Sequence, residues 1–390
     1  MTPLAIYIHI PFCQRKCHYC DFNTYAGREG QYDAFVQALA TDIRQVGTML
    51  ERPQVQTAFL GGGTPTVLAP RHLEAIFEAL QDAFDILPVA EITSEANPGA
   101  VDASRFEILR ALGVNRLSMG VQSLDDEELR FLGRIHSAEE ARTAFDLARK
   151  VGFDNINLDF MFGLPDQSPE TWRRTLQIAI DLRPEHLSLY SLTVEPGTTL
   201  AARIARGQVA APDPDQAADM YEQAQTMLAA AGFMQYEISN WAHGPLGNDL
   251  LPRFASRHNV GYWRNQPYLG FGPGAHSWFR GVRRAVVSDV GEYIRRVEKG
   301  DSYWSMEEPI SPALEMGETM MLGLRLVTAG VNRDAFRQRF GQDVTEVYPD
   351  AISALLAAEL IELTSERVRL TPQAILIGNE VFAVFIPDVA

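Results

Sequence analysis

The chain has 390 residues, 46% of them hydrophobic and 22% charged, with 34 Lys and Arg against 50 Asp and Glu for a formal charge of −16. That length suits one large domain with a smaller partner, the composition is ordinary for a globular protein, and the acidic balance argues against nucleic acid as a partner. No run of about 18 apolar residues calls for an integral membrane segment, no basic n-region or cleavage site suggests a leader peptide, and three clustered cysteines without a disulfide framework fit a reducing cytoplasm.

Ala5–Ile10 is a short apolar run rich in β-branched residues and predicts a strand. The three cysteines, Cys13, Cys17 and Cys20, follow it in HIPFCQRKCHYCDF. Gln31–Leu50 has helical spacing (Phe35, Leu39, Ile43, Val46), and Gln56–Leu60 is a second strand stopped by Gly61-Gly62-Gly63. Pro70–Phe84 is a helix with proline at its start. Glu91–Ser94, Asn115–Val121, Asn155–Phe160 and His186–Leu192 predict four more strands, each followed by helical spacing: Asp102–Leu112, Ser137–Val151, Ser168–Leu182 and Asp215–Ala231. Six β-α units in series predict an α/β fold with a parallel sheet, an incomplete (β/α)6 barrel of the TIM type spanning residues 1–235. Residues 236–300 form an aromatic-rich connecting segment of loop and short strand. From 301 to 390 the pattern is mostly helical, with a strand-like Arg367–Leu370, and suggests a winged-helix-like module. That module carries 6 Arg and Lys against 14 Asp and Glu, so packing or partner contact suits it better than DNA.

Polar and unusual residues gather at the C-terminal ends of the predicted strands, the face where barrels build their sites. The cysteines follow strand one, GGGTP follows strand two, Glu95 ends strand three, Gln122 strand four, Asp159 strand five, and Tyr190 lies near the end of strand six. Three thiolates at C-x3-C-x2-C spacing can hold three irons of a four-iron cluster and leave the fourth for a small molecule. A zinc site completed by His9 or His18 is the alternative, although zinc sites favour paired short spacings. A glycine run after a strand lets backbone approach a ligand closely. Glu95 can accept from ribose hydroxyls, Gln122 and Arg134 suit a carboxylate, and Asp159 suits a ribose or a neighbouring cation. Tyr7 and Tyr19 flank the cysteine loop.

The cysteine loop and FLGGGTPT resemble the signature of the radical S-adenosylmethionine (SAM) family. That resemblance implies a [4Fe-4S] cluster on Cys13, Cys17 and Cys20, and SAM on its fourth iron. It also implies a turn including Gly62, Gly63 and Thr64 that holds the methionine end of SAM; Tyr7 and Tyr19, flanking the cysteines, can pack over the cluster or over SAM's adenine. The likeness extends through SEANPG, GVQSLDDEELRFLGRIH, NLDFMFGLP, SLYSLTVEPGT, RHNVGYW and GETMMLGLRL. These segments together resemble the branch that contains anaerobic coproporphyrinogen III oxidase and a heme chaperone. Phe22 stands where the oxidases carry a further cysteine, six residues precede Tyr7 where they carry a long extension, and His258-Asn259-Val260-Gly261-Tyr262-Trp263 matches the chaperones' HNxxYW motif. The implied function is heme binding and transfer to heme-accepting proteins, with His258 as an iron ligand. Oxidative decarboxylation of coproporphyrinogen III is the alternative activity. A radical enzyme acting on nucleic acid is disfavoured by the acidic module.

Overall fold

The computed structural model describes residues 3–387. Its parallel strands are β1 (Leu4–Ile10), β2 (Gln54–Gly62), β3 (Asp85–Ala96), β4 (Arg116–Gln122), β5 (Ile156–Phe162) and β6 (His186–Ser191). They lie side by side in chain order, each paired in parallel register with the next. Side chains alternate across a strand. Ile6, Ile8 and Ile10 therefore share one face, and they join one core with Phe35, Leu39 and Ile43 of helix Tyr32–Met49 and Leu73, Ile76 and Phe77 of helix Pro70–Ala83. Tyr7 and His9 share the opposite face, inside the cup. Helix starts carry the expected caps. Ser168 accepts from the Thr171 amide ahead of Pro169, and Ser137 forms a reciprocal box with Glu140.

β1 and β6 do not pair with each other. Instead β7 (Met234–Glu237) and β8 (Asn240–Ala242) extend the β6 edge, with β8 against β6. On the other edge, β9 (Tyr268–Phe271) runs parallel beside β1. The antiparallel strands β10 (His276–Phe279), β11 (Val282–Val286) and β12 (Trp304–Pro309) follow it. The six-unit barrel is thus incomplete, as expected, inside a twelve-stranded sheet. The segment 236–300, expected as a connection, widens that sheet on both edges. A boundary at 300/301 cuts the β11–β12 pair, and we place the start of the C-terminal module after Pro309.

Beyond it, helices Pro312–Gly323, Arg333–Phe340 and Pro349–Ala357 pack on a small sheet of β13 (Val331–Asn332), β14 (Ile361–Leu363) and β15 (Arg367–Leu370), with β15 in the middle. Met320, Leu324, Phe336, Val368 and Phe382 form a separate core there. Among the described residues no helix is long and apolar enough to cross a membrane.

Candidate functional site

The cysteine loop is held by backbone from two directions. The Cys13 amide donates to Tyr25 O at 3.0 Å, and the His18 amide donates to Leu132 O at 3.0 Å. Two tight contacts then join the loop to the glycine turn: the Gly63 amide donates to Ile10 O at 2.8 Å and the Thr64 amide to Phe12 O at 2.7 Å. A Cβ on Gly63 would stand 2.5 Å from Phe12 O and 2.6 Å from Ile10 O, so only glycine admits this approach. Gly62 adopts φ +99° and turns its amide to the Glu95 carboxylate at 3.0 Å. The result brings the Cys13 sulfur within 3.4 Å of the Thr64 hydroxyl.

Arg134 approaches from the far side. Its Nη1 donates to the Cys17 sulfur at 3.4 Å and its Nη2 to Gly120 O. Tyr19 lies against Arg134, while Arg134 Nε is buried without a partner. Gln122 adopts φ +70°, and its amide lies where a Cβ on Gly120 would come within 2.9 Å. Tyr7, Glu95, Gln122, Arg134 and Asp159 therefore line one cup with the three cysteines and the glycine turn. Arg134, expected at a carboxylate, is placed on a cysteine sulfur.

The cup is electrostatically poised. Burial first, then the charge of Asp159, push the Glu95 carboxyl up to about 8, against the pull of the Gly62 amide. Asp159 is also raised by burial, although Asn157 and Ser118 donate to it at 2.8 and 3.2 Å. Lys16 and Arg134 stand on the cysteine side, while the opposite wall carries the two carboxyls of Glu95 and Asp159 and suits cationic ligand groups.

The donor set fits an iron–sulfur cluster better than zinc. His9 Nε2 donates to Asn23 O at 2.9 Å, so its Nδ1 accepts from the Tyr7 hydroxyl at 2.9 Å, and neither nitrogen is free. His18 Nδ1 is bound to Phe131 O at 2.8 Å. Among the described residues no three His, Cys, Asp or Glu side chains converge on a point that would hold one ion. Three thiols spread around a loop suit separate corners of a cluster instead.

His258, expected as an iron ligand, lies apart from the cup. It is the second residue of helix Arg257–Trp263, whose first two amides donate to the Glu91 carboxylate at 3.1 and 3.0 Å. The ring is 1% exposed and stacks on Phe59, with Nδ1 2.9 Å from the Thr57 hydroxyl and Nε2 2.9 Å from the Tyr262 hydroxyl. Thr57 lies four residues, about 13 Å, below Gly61 on β2. Both ring nitrogens are thus occupied beneath the cup, and neither is presented to an iron. Tyr262 packs edge-on against His258 and Tyr268, not on an open face.

Sequence reasoning passed over His9 as the support of Tyr7, and Asn23, whose Nδ2 donates at 2.9 Å to Pro273 O and to Ser288 O. His9 sits at the same inward position on β1 that Tyr7 occupies two residues earlier, and strand alternation could have found it.

A model of the radical SAM superfamily matches residues 7–179, and one of the HemN C-terminal domain matches residues 310–377. A Bacillus subtilis protein named heme chaperone HemW is 38% identical over 98% of this chain and 99% of its own length. The heme chaperone HemW of Lactococcus lactis is 33% identical over 99% and 98%. The solved structure of Escherichia coli coproporphyrinogen III oxidase, HemN, superposes with a TM-score of 0.84 over 99% of this chain and 91% of that one, at 22% identity, which speaks to the fold alone. The chain belongs to the radical SAM superfamily, within the family of the HemW proteins.

Proposed function

We propose that this protein is a heme chaperone that holds a [4Fe-4S] cluster on Cys13, Cys17 and Cys20, binds SAM beside it, and passes heme to acceptor proteins. The observation that carries the site is the joining of the three-cysteine loop to the glycine turn, with 3.4 Å between the Cys13 sulfur and the Thr64 hydroxyl. The full-length likeness to proteins named heme chaperones supports heme as cargo. When bound, the cluster supplies a one-electron donor beside SAM.

In this reading the chain's own groups divide the work. The carbonyls of the Gly62–Thr64 turn, whose amides are already spent on Glu95, Ile10 and Phe12, accept from the amino group of SAM, and Glu95 accepts from the ribose hydroxyls. Asp159, Gln122 and Tyr7 close the remaining walls. Arg134 donates to Cys17 and fixes the loop. To test it, heme is loaded onto anaerobically reconstituted protein, an apo-acceptor hemoprotein is added, and the acceptor's Soret band is followed. Heme that loads and then moves to the acceptor supports the proposal, and a chain that takes up no heme sinks it.

The shared fold makes coproporphyrinogen III decarboxylation the rival activity. Phe22, 62% exposed beside the cluster loop, stands where the oxidases carry a further cysteine. Incubation with coproporphyrinogen III, SAM and a reductant is expected to give no protoporphyrinogen above background.

Glu95 gives the SAM site a pH signature. A carboxyl at about 8 is mostly protonated at pH 7, whereas ribose hydroxyls and a sulfonium cation favour its ionised form. SAM binding will therefore release a proton, and affinity will rise about tenfold per pH unit up to pH 8, then level off. Calorimetry in buffers of different ionisation enthalpy detects the proton. Glu95→Gln should remove both the proton release and the slope.

A further inference from the structure

His258 is sealed beneath the cup, so a heme cargo needs another seat. A groove of about 610 Å³ opens between the end of the HNxxYW helix and the C-terminal module. Its walls include Trp263, Met321, Leu322, Arg325, Phe382 and Ala383. The size lies within the range of small-ligand sites, about 300–1,000 Å³. Resting on the heme-chaperone reading, we infer that this groove binds heme, with its propionate end at Arg325 and Trp263 and the Met321 sulfur facing the iron.

Three observations select that occupant. The walls are mainly apolar and include the flat ring of Trp263, as a macrocycle needs. Arg325 stacks its guanidinium 4.5 Å over that ring, and its nearest carboxylate, Glu237, is 3.8 Å away. Two buried donors of the lining residues, Trp263 Nε1 and Arg325 Nε, lack hydrogen-bond partners, and Asn379 brings an amide to the same wall. A carboxylate in the groove meets the guanidinium end of Arg325, which presents a planar fork to it. Among the described lining residues Met321 alone carries an atom that ligates heme iron.

The second large groove has the opposite character. It lies on the other side of the same helix, around Arg253, Arg257 and Arg264, and no sulfur or imidazole lines it. It can attract a carboxylate but cannot hold iron. That contrast supplies a control.

The test titrates hemin into the full chain and reads the Soret band together with quenching of tryptophan fluorescence. Met321→Leu conserves volume and should shift the Soret band while heme still binds. Arg325→Gln should weaken heme at least tenfold, with a smaller loss for metal-free protoporphyrin after Met321→Leu than for heme. Ala383→Trp, at an exposed helical position, should fill the groove and block binding without unfolding the chain. Arg264→Gln should bind as wild type does. Heme binding that is unchanged in affinity and spectrum in Met321→Leu, Arg325→Gln and Ala383→Trp overturns the groove while leaving the chaperone reading intact. Wild-type protein that binds no heme overturns both.

Discussion

Serine at any one of Cys13, Cys17 or Cys20 is expected to abolish iron–sulfur loading, measured as iron and acid-labile sulfide per chain after anaerobic reconstitution. The thiolate is the ligand that iron–sulfur clusters use, and with only three thiols in the chain each loss leaves two. The fold should survive, because all three side chains are only partly buried. Backbone carries the loop instead: the Cys13 amide reaches Tyr25 O, the Tyr25 amide reaches Pro11 O at 2.8 Å, and the His18 amide reaches Leu132 O. Far-UV circular dichroism of the serine variants should therefore match wild type. A serine variant retaining wild-type iron and sulfide would remove that cysteine from the ligand set. Arg134→Gln provides the companion measurement. Its guanidinium donates to the Cys17 sulfur, and hydrogen bonds and positive charge at cluster sulfurs raise the reduction potential. Cluster content should persist in that variant while the midpoint potential falls.

The strand order and the polar strand ends were legible in the sequence because both obey short-range rules. Each parallel strand carries apolar residues for the helices outside and polar ones for the cup, and Ser168 with Pro169 marks a helix start without ambiguity. β3 runs from Asp85 although only Glu91–Ser94 had the strand pattern: Asp85 and Ile86 pair with Gln54 and Val55, the register breaks around Pro88, and pairing resumes at Glu91 opposite Thr57. The short helices Asp126–Leu132 and Thr199–Ala205 escaped notice because seven residues show too little periodicity. What failed was long-range. Nothing local tells that β9 returns to lie beside β1, or that β12 completes the sheet beyond residue 300. The HNVGYW motif does not show the partners that folding brings to it: His258 pairs with Thr57 and Tyr262, 201 and 4 positions away.

That placement makes His258→Ala a stability mutation before it is a heme mutation. The substitution strips the Thr57 and Tyr262 hydroxyls of partners inside a closed core, where each unsatisfied group costs about 1–3 kcal/mol, and it leaves a cavity beside Phe59. A total loss of about 3–5 kcal/mol is expected, visible as a lowered midpoint in urea. The ring also carries a pH signature. Burial first, and then the charge of Arg116, hold His258 down to about 3, so it stays neutral in the folded chain. Below its ordinary value near 6.5 the unfolded chain takes up a proton that the folded chain refuses. Stability from this group is therefore full above pH 6.5 and is lost as pH falls toward 3, at about 1.4 kcal/mol per unit. Between pH 6.5 and 5 the wild type should lose about 2 kcal/mol that His258→Ala, starting lower, does not lose. His186, also held well down by burial, contributes equally to both proteins and cancels in the difference. Heme titrated into folded His258→Ala, well below its transition, should still bind with the wild-type Soret maximum. A Soret band lost there while the fold is intact would mean that the helix opens to present the imidazole.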